Sequence, residues 1–173
     1  MKKITDFLGK PVLSLYESVT QGIVKDLMFD KNFKKLKYLI MFDDNEFQEE
    51  KIVNVLDIYS YGENAIVVKN NACVELKSAI KSETSNPINN RAYTTLGKFV
   101  GIVTDVTIDD KYNIKSIQLD NESSIEINKV VTSGKDAMFV QDEENYVKLC
   151  NFKSKAIQNK QENKNIKVAI MHQ

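Results

Sequence analysis

The sequence predicts an all-β protein made of two tandem copies of one small barrel. Three observations carry that expectation. The phrase GIVKDLMFDK at 22–31 returns as GIVTDVTIDD at 101–110, with glycine and two aspartates in the same places. Within both phrases apolar residues alternate with polar ones, the period of a half-buried strand. Short apolar runs separated by polar turns then recur along the chain, as they do in small barrels and rolls.

The repeat extends well past those ten residues. Gly22, Asp26 and Asp30 fall on Gly101, Asp105 and Asp109 at one constant offset. After a one-residue gap, Leu36 and Leu39 meet Ile114 and Ile117. Gly62 meets Gly134 at a shorter offset, so the first copy holds an insertion, which falls in DDNEFQEE. The repeating unit is roughly 70 residues, enough for a small domain.

Each copy reads as four strands. In the first strand, Ile23, Leu27 and Phe29 form the inward set, matched by Ile102, Val106 and Ile108. Gly22 and Gly101 serve a bulge or bend in that strand. DKNFKK and DDKYN are polar turns begun by Asp30 and Asp109, while Asp26 and Asp105 take the wetter face. KLKYLIMF and IKSIQL supply a second strand, closing a hairpin. KIVNV and SIEI are the third strands, and AIVV and AMFV the fourth. Gly62 and Gly134 are expected at positive φ in the bends before those fourth strands. VELKSAIK suggests one or two helical turns, and the polar run Ser85 to Asn90 around Pro87 reads as a linker.

After Cys150 the chain turns polar, and QNKQENKN reads as a spacer. It is followed by IKVAIM, where Ile166, Val168 and Ile170 alternate as in a strand. The expected organisation is a first domain over 1–84, a second over 85–150 and a tail over 151–173.

These residues resemble the PRC barrel. The resemblance rests on a strand opening with Gly, the apolar-x-Asp-apolar-x-apolar-Asp run, a polar turn, an apolar strand and the Gly-containing bend before AIVV or AMFV. It covers nearly all of 7–83 and 87–149. That family is named for the cytoplasmic barrel of the reaction-centre H subunit. It also supplies half of the ribosome-maturation factor RimM and occurs as small stand-alone bacterial proteins. The resemblance implies a barrel fold and a binding role, and implies no catalytic residues. The second copy departs from the first by lacking GKPV, present at 9–12.

Composition narrows function further. Lys+Arg and Asp+Glu are 24 each, so no global field draws the chain to a polyanion. The one locally basic segment is the tail. Arg91 is the sole arginine. Cys73 and Cys150 lie far apart with no CxxC partner, so neither a metal site nor a disulfide framework is expected. MKKITDFLGK has no apolar stretch of signal-peptide kind, and the longest apolar run, YLIMF, is strand-sized. A cytoplasmic location with no integral membrane segment is the expectation.

The chemistry-bearing motifs are few. Asp26 with Asp30, and Asp105 with Asp109, share a strand face, but calcium needs about six to eight oxygen ligands and no further acids are spaced to complete a site. His172 is the single histidine and stands next to the end, poorly placed for a catalytic triad. Phosphate-binding glycine loops and HExxH are absent from the sequence. We therefore expect no enzyme, no cofactor and no metal. The leading function is an adaptor that binds another protein. The alternatives are an RNA- or ribosome-associated maturation factor, suggested by RimM and the basic tail, and a small-molecule-binding barrel. Candidate partner contacts are Phe33 in the lysine-rich hairpin, Phe47 among acids, and the tail strand of Ile166, Val168 and Ile170. That strand is also a candidate route to a homo-oligomer by edge addition.

Overall fold

The structure, a computed structural model, describes residues 1–42, 49–80 and 86–142. Met1–Val140 form one compact unit. Phe47, Ile166, Val168 and Ile170 lie outside the described residues.

The unit is β-rich and curled in the manner of a half-barrel. Among the described residues its strands are β1 (Lys2–Lys3), β2 (Pro11–Ser14), β3 (Val19–Phe29), β4 (Leu36–Phe42), β5 (Lys51–Asn54), β6 (Ile58–Tyr61), β7 (Ile66–Val68), β8 (Val74–Leu76), β9 (Arg91–Thr94), β10 (Phe99–Ile108), β11 (Ile114–Leu119), β12 (Ser124–Glu126), β13 (Val130–Ser133) and β14 (Ala137–Val140). One sheet runs β6-β7-β2-β3-β4-β5-β8, and the other runs β12-β11-β10-β9-β14-β13 with β1 added beside β10. Followed from β13 towards β12, the second sheet repeats the order of the first from β6 to β5. Both also contain one parallel pair, β2 with β7 and β9 with β14. The sequence repeat is thus a repeat of topology.

The glycines explain how each long strand bends. At Gly22 a Cβ would lie 2.5 Å from the Phe42 carbonyl oxygen, and at Gly101 it would lie 2.8 Å from Asp120 Oδ1. Each glycine stands beside a bulge whose extra residue is Gln21 in one copy and Val100 in the other. Coiling a sheet this tightly brings strands too close for a side chain at that point.

Strict alternation along β3 and β10 does not survive. Val24 and Asp26 pair with consecutive residues of β4, leaving Lys25 extra, and Val103 and Asp105 do the same on β11, leaving Thr104 extra. The bulge shifts the inward set by one position on its N-terminal side. Val24 and Val103 are buried, whereas Ile23 is exposed and Ile102 half-buried. Leu27, Phe29, Val106 and Ile108 point inward as expected.

Gly62 and Gly134 also depart from expectation, since neither has positive φ. Each instead donates its N–H to the residue three positions on, Ala65 and Ala137, both at 2.9 Å. Among the described residues the left-handed positions are Gly9 (φ 77), Ser18 (φ 56), Phe33 (φ 51), Asn89 (φ 69), Gly97 (φ 84), Tyr112 (φ 62) and Glu122 (φ 65). Six of these form equivalent pairs: Gly9 with Asn89, Ser18 with Gly97, and Phe33 with Tyr112. Asn89 therefore does for the second copy what the glycine of GKPV does for the first, because asparagine tolerates the left-handed region. Gly9 N–H reaches the Val24 carbonyl at 2.8 Å, and Asn89 N–H reaches that of Val103 at 2.8 Å.

The described part of VELKSAIK, 74–80, contains β8 and one 3-10 turn, Lys77–Ala79. The described part of the expected linker, 86–90, is tied down: Pro87 is buried and Asn90 N–H donates to its carbonyl at 2.9 Å. The interior is filled by aliphatic and aromatic side chains of both copies, among them Phe7, Leu27, Phe29, Leu39, Ile66, Val103, Ile117 and Met138.

Candidate interaction surface

Two features of the fold bear on function: how the copies meet, and what the second copy shows to solvent.

The copies meet through their hairpin turns. Leu36 N–H donates to the Tyr112 carbonyl at 3.0 Å, and Ile114 N–H donates to that of Lys34 at 2.9 Å. Leu36 is the equivalent of Ile114, and each acceptor stands two residues before the donor of its own copy, so the two bonds are exchanged reciprocally across a local two-fold axis. Lys35 and Asn113 make an isolated antiparallel bridge at the same place. The left-handed Phe33 and Tyr112 turn their rings inward. Phe33 is 1% exposed and stacks 5.1 Å from Phe29. It is a core side chain, not the partner contact expected from its lysine neighbours. Its left-handed backbone accompanies this inward placement.

The segments that lead into each copy are exchanged in the same way. Thr5 Oγ1 donates to Asp105 Oδ2 at 2.6 Å, and Thr5 N–H to Oδ1 at 3.3 Å. Asn86 Nδ2 donates to Asp26 Oδ1 at 3.0 Å. The leader of the first copy is thus held by the second, and the leader of the second by the first. Each aspartate also accepts the N–H of its successor, Val106 or Leu27, at 2.8 Å, which fixes the bulge. Asp105 is 6% exposed, so its carboxylate is satisfied from inside the protein and is not on the wetter face.

Asp30 and Asp109 build the turns, as the sequence suggests. Asp30 Oδ1 accepts from the N–H of Lys34 and Lys35 at 2.5 and 3.0 Å. Asp109 Oδ1 accepts from the N–H of Lys111 and Asn113, each at 2.9 Å. The Asn113 side-chain amide and these N–H groups, with Lys115 at 3.0 Å, hold the Asp109 carboxyl well below the usual carboxylate range. The four aspartates therefore divide between bulges and turns and do not converge on one point. Among the described residues no cluster of three potential metal ligands forms.

The second feature is one that sequence reasoning missed. On the outer face of the second sheet, Phe99 and Phe139 both pair in register with Tyr93. Their rings form a row across three adjacent strands, Phe99 to Tyr93 at 5.7 Å edge-on and Tyr93 to Phe139 at 6.3 Å tilted. Phe99 is 52% exposed and Phe139 39%. Arg91 lies on the same face of β9, two residues from Tyr93, and Leu96 is exposed at the neighbouring hairpin tip. The register-equivalent row in the first sheet is Thr20, Leu13 and Val67. The aromatic row is therefore a property of one copy and not of the fold. Alternation alone could have flagged Tyr93 and Phe99 as outward residues, but only the parallel pairing of β9 with β14 brings Phe139 alongside.

A shallow groove of about 610 Å³ runs along the polar outer face of β10, β11 and β12, lined by Thr107, Ser116, Gln118 and Glu126. It lies outside the sheet interior. Among the described residues no helix is long and apolar enough to cross a membrane. No family model matches the chain, and no curated protein matches it.

Proposed function

We propose that the chain is a non-enzymatic adaptor of two tandem PRC-like barrels that binds another protein through the outer face of the second. The row Phe99–Tyr93–Phe139, with Tyr93 half-buried between two exposed rings, carries this reading. Aromatic residues and arginine are the types enriched at the centres of protein interfaces, where they are rigid and bury large areas. Three rings side by side with Arg91 adjacent form such a centre, and the first copy keeps aliphatic or polar residues at the same three positions. A stabilising role alone accounts less well for the row. Cross-strand aromatic pairs add only about 0.2–1 kcal/mol each, and the aliphatic row of the first copy occupies the same register without them.

The test is affinity capture on the full chain from its native cells, with nuclease present and at raised salt. The adaptor reading expects one discrete protein, retained under both conditions and lost from a Tyr93→Ser/Phe99→Ser variant. Capture of RNA alone, falling steeply with salt, would favour the maturation-factor alternative instead.

A further inference from the structure

A second surface, distinct from the aromatic row, arises only in the folded chain. The two hairpin turns that meet at the two-fold axis bring together Lys31, Lys34, Lys35 and Lys37 from the first copy with Lys111 and Lys115 from the second. Lys37 and Lys115 are the extra residues of equivalent bulges. Beside them β1 pairs with Ile108 and Thr107, adding Lys2 and Lys3. The acids at the same place are Asp30, Asp109 and Asp110, with Glu126 on the groove that Lys115 also lines. Asp30 and Asp109 are turned into their own loops by backbone N–H groups, and Asp109 is also paired with Lys115 at 3.0 Å. Asp110 is neutralised by Lys2 at 2.8 Å. Among the described residues no ion pair forms at Lys31, Lys35, Lys37 or Lys111. A chain with equal numbers of acids and bases thus concentrates positive charge at one waist.

We propose that this lysine waist docks the protein on the surface of an anionic lipid bilayer. Charge complementarity points to a polyanion, and three details favour a bilayer over a nucleic acid. The waist is all lysine, and ammonium groups act as point charges with none of the forked geometry by which arginine reads phosphate and base edges. It offers no fully open ring for base stacking, since Phe33 is 1% exposed and Tyr112 and Tyr38 are both half-buried. Met1, 86% exposed, stands at the same groove as Lys115, an apolar side chain placed to enter the headgroup layer. Lysines held near an anionic leaflet attract it additively, and the attraction weakens within a Debye length as salt rises.

The experiment is flotation of the full chain with vesicles of phosphatidylcholine alone and of phosphatidylcholine mixed with phosphatidylglycerol, at low and at physiological salt. Binding is expected only to the mixed vesicles and is expected to fall with salt. The Lys31→Glu/Lys35→Glu/Lys111→Glu variant is expected to lose at least about a hundredfold in partition. These lysines are exposed, and single Lys→Gln changes at 31 and 111, with circular dichroism unchanged, guard against misfolding and are each expected to give a smaller loss. Equal binding to both vesicle types, binding to neither, undiminished binding by the folded triple variant, or tighter binding to an RNA at the same phosphate concentration would each overturn the proposal. None of these outcomes bears on the aromatic row.

Discussion

The two sheets share strand order, bulges, turns and left-handed positions, yet they present different outer faces. Where the first shows Thr20, Leu13 and Val67, the second shows Phe99, Tyr93 and Phe139. Where the first has Met28, Tyr38 and Asn54 in register across β3, β4 and β5, the second has Thr107, Ser116 and Glu126. What the copies hold in common is what curling a sheet and joining the copies demand. What differs lies on surfaces where those demands are silent, and function belongs there.

The largest effects should come from breaking what the copies share. Phe33→Ala removes a fully buried ring and should destabilise by about 3–5 kcal/mol in urea unfolding. Tyr112→Ala, at the equivalent but half-buried position, should cost clearly less. Equal losses would mean that the two turns are packed alike, contrary to the burial described.

The bend glycines sharpen the comparison. Gly22→Ala sets a Cβ against the backbone oxygen of Phe42, whereas Gly101→Ala meets the Asp120 carboxylate, which can rotate away. We expect roughly 2–4 kcal/mol for the first and about 1–2 kcal/mol for the second. The reverse order would show that the Asp120 bond to Ile102 N–H matters more than the steric clash.

Acid unfolding probes the turn of the second copy. Asp109 has its carboxyl held below the usual range, so its contribution is complete above the unfolded carboxylate value of about 3.9 and fades as pH falls through the lower folded value. Asp109→Asn should flatten the acid limb of a urea-midpoint profile while leaving its slope near neutrality unchanged. An unchanged acid limb would remove Asp109 from that role.

The smallest effect on stability should come from the face assigned to binding. Phe99→Ser should cost no more than about 1 kcal/mol, since it removes one cross-strand pair from a half-exposed site. A loss of core size would make the row structural.

Much of this architecture is legible in the amino-acid sequence. The repeated GIVxD phrase locates both bend glycines and both bulge aspartates, and the polar turns fall where Asp30 and Asp109 place them. The departures come from non-local geometry. A bulge resets alternation, so period-2 patterning points Ile23 and Ile102 inward in place of Val24 and Val103. A left-handed backbone buries Phe33, which its lysine neighbours make look exposed. Exchange of the leaders and the row of three rings both depend on which strands lie side by side, and period-2 patterning carries no information on that.

The most direct test places a photo-crosslinking phenylalanine analogue at position 99 in one full-length chain and at the register-equivalent position 20 in another. The account predicts that irradiation in native cells joins position 99 to one discrete protein, and that position 20 gives no such adduct. Adducts of the same protein from both positions, or none from position 99 while position 20 reacts, would contradict it.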